Sequence, residues 1–118
     1  MPNYLQRNIY MQTWWFIRRY WDMKEEYQDI MDSSPNPNGI RGTGISNPTA
    51  MKQERLETLH DDIKIIEDAI KIVPPQYQYG VLMSILTKEK YPYNASVRTY
   101  NRWKRRFVYA VALGKKWI

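Results

Sequence analysis

A run of apolar residues recurs at helical spacing between Pro48 and Pro74. The run alternates between steps of three and four positions and consists of Leu56, Leu59, Ile63, Ile66, Ile70 and Val73. Such spacing places the side chains on one side of an α-helix. Proline suits the first turn of a helix and ends a helix that reaches it, while Ser46 and Asn47 can cap the start. The sequence therefore predicts a long amphipathic helix over residues 48–73.

The apolar side of this helix permits two interpretations. A coiled coil needs about three or four consecutive heptads, and this pattern continues for only about two and a half. The short length favours packing inside the domain, with a short contact between two copies of the chain as the alternative. The candidate residues for that homodimer contact are Leu56, Leu59, Ile63, Ile66 and Ile70.

Two segments precede the long helix. Residues 4–32 combine charged and aromatic side chains without glycine or proline, which predicts one or two helices. The side chains expected on their buried side are Trp14, Trp15, Ile17, Trp21, Met23 and Tyr27. Residues 33–47 concentrate serine, asparagine, glycine and proline, which favour turns, so this segment is predicted to be a linker or loop.

Residues 76–114 show the pattern of two further helices joined by a polar turn. Apolar residues recur at helical spacing from Gln76 to about Thr87, and a second helix is predicted to begin at Ser96 and end at Gly114. The serine hydroxyl can accept hydrogen bonds from first-turn amides, and glycine favours a helix C-terminus, so Gly114 is predicted to be the C-terminal cap. This order predicts a helix-turn-helix whose turn is longer than the usual length of about three or four residues.

No part of the sequence shows the alternation of apolar and polar residues that is typical of a strand. The 118 residues are also too few for several large domains. We therefore predict a single all-α domain over residues 1–118, with four or five helices and a C-terminal helix-turn-helix over residues 76–114.

The positive charge of the chain is concentrated in its last third. The formal net charge is +6, yet residues 74–118 contain nine lysines and arginines and a single acid, Glu89. Residues 1–73 contain nine basic and eleven acidic side chains. A mixture of positive and negative side chains would suffice for solubility, whereas a local excess of positive charge produces a field that attracts a polyanion. The distribution therefore predicts a nucleic-acid partner for the C-terminal third.

The helix predicted from Ser96 to Gly114 has one apolar and one basic side. Its apolar side chains, which must be buried, are Val97, Tyr100, Trp103, Phe107, Val108 and Val111. Arginine can bridge two acceptors on guanine or hold a phosphate, and asparagine can pair with adenine. We expect Arg98, Thr99 and Arg102 to contact bases, and the remaining polar and basic residues to contact phosphates or flank the bases. The full set of predicted DNA contacts is Ser96, Arg98, Thr99, Asn101, Arg102, Arg105, Arg106, Lys88 and Lys90.

Several stretches carry a resemblance to a known family: IEDAIKIVPPQY, ILTKEKYP and NASVRTYNRWKRRFVYAVALG. With the preceding ISNPTAMKQERLETL, they make residues 45–114 resemble small phage-encoded transcriptional regulators of the RinA and ArpU type. These regulators are in turn similar to the fourth region of bacterial sigma factors. The core residues that carry the resemblance are Ser96, Thr99, Tyr100, Arg102 and Lys104.

The resemblance implies a sequence-specific DNA-binding regulator of phage or prophage genes, acting in the cytoplasm of a bacterial host cell. Its recognition helix would present Ser96, Arg98, Thr99 and Arg102 to double-stranded DNA. Two alternatives are compatible with the same residues. One is a phage assembly or interaction protein similar to a small terminase component, and the other is a partner of RNA polymerase whose basic helix meets an acidic protein surface.

The residue types present disfavour other functional classes. The chain has no cysteine, which excludes disulfide scaffolds, cysteine zinc sites and thiol nucleophiles. His60, Asp61 and Asp62 are metal-ligand types, but neighbours on a helix diverge by about 100° and too few ligands can converge. The stretch NGIRGTG lacks the Lys-Ser or Lys-Thr ending of a phosphate loop. We therefore expect no enzymatic activity, no catalytic residue, no cofactor and no metal site.

No apolar stretch is suited to a membrane. The first residues contain no uninterrupted apolar run for a signal peptide, and later stretches fall short of the roughly 18 apolar residues of a membrane helix. We expect a cytoplasmic protein without a membrane partner.

Overall fold

The computed structural model describes residues 5–32 and 47–118. This part of the chain contains no strands and five α-helices: α1 (Arg7–Arg18), α2 (Tyr20–Asp32), α3 (Asn47–Ile70), α4 (Pro75–Leu86) and α5 (Val97–Gly114). The all-α prediction is therefore confirmed for these residues. The predicted linker at residues 33–47 lies outside the described residues, except for Asn47 at the start of α3. Within the described ranges, no helix combines the length and the apolar character needed to cross a membrane.

The first two helices are almost continuous and are interrupted only at Arg19. The Arg19 amide donates to the Phe16 carbonyl at 3.1 Å, and the Met23 amide donates to the Arg19 carbonyl at 2.8 Å. The interruption divides the packing of the predicted N-terminal segment, because α1 packs against α4 and α5 whereas α2 packs against α3.

Two tryptophans expected on the buried side of this segment are exposed instead. Trp15 is 56% exposed and Trp21 is 49% exposed, whereas Ile17 and Met23 are buried. Residues two positions apart on a helix point about 200° away from each other. Each tryptophan precedes a buried aliphatic residue by two positions, and for this reason it faces outward.

The apolar seam of α3 packs inside the chain. Leu59, Ile66 and Val73 are buried, and α3 packs against both α2 and α5. The helix ends at Ile70 rather than at the predicted Val73, and the next three amides donate to carbonyls three residues back at 3.0–3.2 Å. This tighter turn follows from Pro74, because proline disfavours the helical conformation of the residue before it.

The last helix, α5, is central because it packs against α1, α3 and α4. Trp103 is half-buried, and four of the predicted apolar residues are fully buried, namely Tyr100, Phe107, Val108 and Val111. Val97 does not belong to this buried side, because 62% of its surface is exposed. It lies four positions before the exposed Asn101, and residues four apart share a side of a helix.

Close contacts hold α5 against its neighbours. A Cβ atom added to Gly80 of α4 would lie 2.6 Å from Cε1 of Tyr100 and 2.7 Å from Cδ of Pro92. A Cβ atom added to Gly114 would lie 2.9 Å from Cγ2 of Ile65 in α3. Gly114 is therefore the last residue of α5 and permits close approach of α3, rather than being the predicted C-terminal cap, a position that Lys115 occupies.

Candidate nucleic-acid interface

A serine cap fixes the N-terminus of α5. The Oγ of Ser96 accepts a hydrogen bond from the Thr99 amide at 3.1 Å, and the two hydroxyl oxygens lie 3.0 Å apart. This confirms the predicted start of the helix. Both hydroxyl groups are engaged within the protein, which orients Ser96 and Thr99 at the beginning of the outward side of α5.

Three exposed arginines follow along that outward side, at positions 98, 102 and 105. They line a shallow depression, which we call the α5 surface and which consists of Val97, Arg98, Asn101, Arg102 and Arg105. In the part of the chain that the structure describes, none of these arginines lies within ion-pairing distance of a carboxylate. The α5 surface therefore combines an exposed positive charge with a rigid, buried opposite side.

Tyr91 positions the amide of Asn101. The Tyr91 hydroxyl donates to Oδ1 of Asn101 at 2.6 Å, and the Tyr91 ring stacks on Tyr100 with centroids 4.7 Å apart. A tyrosine hydroxyl is protonated at neutral pH, and burial raises the pKa of Tyr91 further, so the hydroxyl is a donor. The amide oxygen of Asn101 is therefore directed toward Tyr91. Sequence patterns do not reveal this role, because Tyr91 stands in a polar segment ten positions before Asn101.

The segment between α4 and α5 returns toward the start of α4. It contains ten residues, 87–96, compared with about three or four in a usual helix-turn-helix. Nδ2 of Asn94 donates to the carbonyl of Gln76 at 3.2 Å, and the Tyr100 hydroxyl donates to Oδ1 of Asn94. The start of α5 therefore lies beside the first turn of α4, and a helix-turn-helix is not confirmed.

Three predicted phosphate contacts, Lys88, Lys90 and Arg106, do not line the α5 surface. The Arg106 guanidinium lies 5.0 Å from the centre of the Trp103 ring. Lys88 has a left-handed backbone conformation with φ 62°, and its ammonium group lies 5.9 Å from the centre of the Trp14 ring. Lys90 is exposed. The structure therefore does not bring these three cations into the row of arginines.

A basic residue of α1 lies close to α5. Arg7 lines a depression together with Lys104 and Arg105. The sequence gives little indication of this proximity, because Arg7 and Arg105 belong to opposite ends of the chain and residues 1–34 as a whole contain four basic and five acidic side chains. The packing of α1 on α5 brings them together.

The candidate dimer residues lie on the packed side of α3. Leu59 and Ile66 are buried within the chain, whereas Leu56, Ile63 and Ile70 are half-buried. The seam therefore serves intramolecular packing at its two buried positions. Only the half-buried residues retain surface for a second copy, and the homodimer stays a prediction.

The acidic side chains of α3 are arranged for ion pairing. Nδ1 of His60 lies 3.5 Å from Oδ1 of Asp61, and Nζ of Lys64 lies 3.2 Å from Oδ2 of Asp68. Nowhere in residues 5–32 or 47–118 do three or more histidine or acidic side chains converge as ligands for a metal ion.

No family model, no curated protein and no solved structure matches the chain. The resemblance to phage regulators therefore rests on the sequence motifs alone. The chemistry of the α5 surface is what supports a function.

Proposed function

We propose that this protein is a sequence-specific DNA-binding transcriptional regulator that contacts double-stranded DNA through the α5 surface. The observation that carries the proposal is the row of exposed arginines without carboxylate partners in the described residues. The opposite side of α5 is buried, so the row is held on a rigid support. An α-helix fits the major groove of DNA, which is about 12 Å wide.

The position of each side chain along α5 supports a division of roles. Arg98 and Arg102 lie in the first two turns, and a guanidinium group can bridge the two acceptors of guanine in the major groove. Asn101 lies between them, and the hydrogen bond from Tyr91 orients its amide nitrogen for an acceptor on a base. Arg105 lies farther along and is suited to a phosphate.

The arrangement of α4 and α5 differs from the tight motif in its ten-residue connection. We therefore propose a helix-turn-helix-like unit whose connection is lengthened and fixed by Asn94, Tyr91 and Tyr100. The resemblance to RinA and ArpU regulators supports a role in the control of phage or prophage genes. Under this proposal the protein acts in the cytoplasm of the bacterial host.

The first experiment is selection of bound fragments from random double-stranded DNA, followed by affinity measurements on the selected site and on random DNA. Arg102→Ala is expected to cost about 1–3 kcal/mol on the selected site and little on random DNA. Lys52→Ala is the control, because Lys52 is an exposed cation on α3 without an ion pair in the described residues.

Two outcomes would contradict the proposal. Equal losses for Arg102→Ala on both DNAs would reduce the α5 surface to a sequence-independent phosphate contact. Failure of the wild-type protein to bind any DNA would favour an interaction protein, such as a terminase-like component or an RNA polymerase partner.

A further inference from the structure

A second depression lies beside the α5 surface, between α1 and α5; we call it the α1–α5 groove. Its polar lining consists of Arg7, Tyr10, Asn101, Lys104 and Arg105. Asn101 and Arg105 belong both to this groove and to the α5 surface. The two surfaces are therefore continuous, and a molecule that covers one extends readily into the other.

The groove has a strong local excess of positive charge. Arg7, Lys104 and Arg105 line it, and no acidic side chain is among the described residues that line it. In the described part of the chain, none of the three cations lies within 4.0 Å of a carboxylate. Converging cations repel one another, and an anion bound between them would relieve this repulsion.

Lys104 is the cation that gains most from an anion. It is half-buried, and its ammonium group lies 5.1 Å from the centre of the Tyr91 ring. Burial lowers the pKa of Lys104, because water is partly removed from the charged group and no carboxylate replaces it. A bound anion would supply the missing charge partner.

The groove also offers neutral hydrogen-bond donors. The pKa of Tyr10 is raised, mainly by burial and to a smaller extent by the nearby Tyr91. These effects outweigh Arg105, which lowers the pKa. A tyrosine hydroxyl is protonated at neutral pH, and the raised pKa of Tyr10 acts in the same direction, so the Tyr10 hydroxyl can donate a hydrogen bond to an oxygen atom. Asn101 supplies amide N–H groups at the border with the α5 surface. A group with several acceptor oxygens and a negative charge, such as a phosphate, matches this set of donors.

We propose that the α1–α5 groove is a phosphate-binding site, in which Arg7 and Lys104 hold a backbone phosphate of the DNA that lies on the α5 surface. The inference rests on the proposed function and extends it to α1. Phosphate contacts fix the position of a protein on the duplex but carry no sequence information. The groove therefore sets how α5 is placed, and the α5 surface provides the selectivity.

The test uses the full chain and a random-sequence duplex over a series of salt concentrations. Arg7→Gln and Lys104→Gln are each expected to reduce the slope of log affinity against log salt by about 1, because each removes a phosphate contact. The loss of affinity should be equal on the selected site and on random DNA. Lys104→Arg keeps the charge and should restore the slope, and Lys52→Gln on α3 should leave it unchanged.

Arg7→Gln is the decisive variant, because Arg7 is exposed and its replacement leaves the packing intact. Circular dichroism melting checks the fold of each variant. A wild-type salt slope in Arg7→Gln, combined with weaker binding by Arg102→Ala, would overturn the phosphate site in the groove and leave the proposed function standing.

A second measurement separates the two proposals. Sodium tripolyphosphate is titrated into the whole protein and followed by nuclear magnetic resonance, with shifts expected for Arg7, Tyr10 and Lys104. The double variant Arg7→Gln, Lys104→Gln should lose the shift of Tyr10. Tripolyphosphate binding in the groove without any DNA binding would contradict the regulator and the DNA phosphate contact and leave the groove as a site for a free polyphosphate. Shifts confined to Arg98 and Arg102 would overturn the phosphate site in the groove.

Discussion

Two surfaces of the domain differ in whether their charged side chains form ion pairs. One is formed by α2 and α3 and is called the α2–α3 side; the other is the outward surface of α5 and is called the α5 side. On the α2–α3 side, Arg55 donates two hydrogen bonds to Glu26 at 2.7 and 2.8 Å. In the same region, the Asp68 carboxylate forms ion pairs with two lysines. Its oxygens lie 3.2 Å from Nζ of Lys64 and 3.6 Å from Nζ of Lys71. The arginines of the α5 surface have no such partners within residues 5–32 and 47–118.

The difference shows which surface has its charges paired within the protein and which leaves them available to a partner. Exposed ion pairs contribute only about 0–1 kcal/mol each, so the pairs of the α2–α3 side do little more than balance charge. Arginine has no neutral form at ordinary pH, and an unpaired row of arginines keeps its full charge. The α5 side therefore presents an uncompensated positive field.

The largest effect on stability is expected from a substitution in the buried core on which α5 packs. Phe107 of α5 is fully buried, and Phe107→Ala should lower the free energy of unfolding by about 3–5 kcal/mol through the cavity it leaves. Leu113→Ala is the matched control on the same helix, because Leu113 is exposed. Urea denaturation measures both. Similar losses for the two variants would show that α5 does not pack as described.

Gly80→Ala tests the packing of α4 against the connection and α5. The new Cβ atom would lie 2.6 Å from Cε1 of Tyr100, and relieving such a clash costs about 1–3 kcal/mol. Alanine improves helix propensity by about 1 kcal/mol, so the net loss of stability is up to about 2 kcal/mol. Tyr79→Ala at the preceding, exposed position is the control, and a stabilised Gly80→Ala protein would refute the close approach.

Tyr91→Phe tests the hydrogen bond that positions Asn101 on the α5 side. The ring can still stack on Tyr100, but the donor to Oδ1 of Asn101 is lost, which should cost about 0.5–1 kcal/mol of stability. Tyr93→Phe is the control, because Tyr93 is fully exposed. A double-mutant cycle with Asn101→Ala isolates the pair, and an interaction energy of zero would show that Tyr91 does not hold Asn101.

The smallest effect on stability is expected for Arg55→Ala, which removes an ion pair of the α2–α3 side. The effect should depend on pH. The hydrogen bond from Arg55 holds the pKa of Glu26 below its ordinary value. The stabilisation is therefore present above the unfolded glutamate pKa of about 4.3 and is lost as the pH falls through the lower folded-state pKa. Because both side chains are about 40% exposed, its size is below about 1 kcal/mol.

Urea denaturation of wild type and Arg55→Ala at about pH 6 and about pH 2 checks this prediction. The difference in stability should be present at the higher pH and vanish at the lower one. A difference that is the same at both values would mean that packing of the Arg55 side chain, and not its charge, supports the α2–α3 side.

Local patterns of the sequence predict the helices well. The spacing of apolar residues gives α3, α4 and α5, and the hydroxyl of Ser96 predicts the start of α5, because these features depend on neighbours in the chain. The exposure of Trp15 also follows from local geometry, once the buried Ile17 is known. Position along a helix is therefore informative about the buried side.

Contacts between distant residues account for what the sequence does not predict. The course of the connection depends on Asn94 and Tyr100, and the orientation of Asn101 depends on Tyr91. The proximity of Arg7 to Arg105 depends on the packing of two helices from opposite ends of the chain. Each of these pairings requires the three-dimensional arrangement, since no spacing rule connects the partners.

Both ends of α5 are held, which has a consequence for how the helix would dock under the proposed function. At one end the Asn94 and Tyr100 contacts fix the helix to α4, and at the other Nζ of Lys115 donates to Oδ1 of Asp62 in α3 at 2.9 Å. A helix fixed in this way cannot tilt relative to α3 and α4 without breaking its packing on them. If the α5 surface binds DNA as proposed, α5 and its neighbours would meet the duplex as one rigid body, so that the orientation of the whole domain sets the docking angle of the helix.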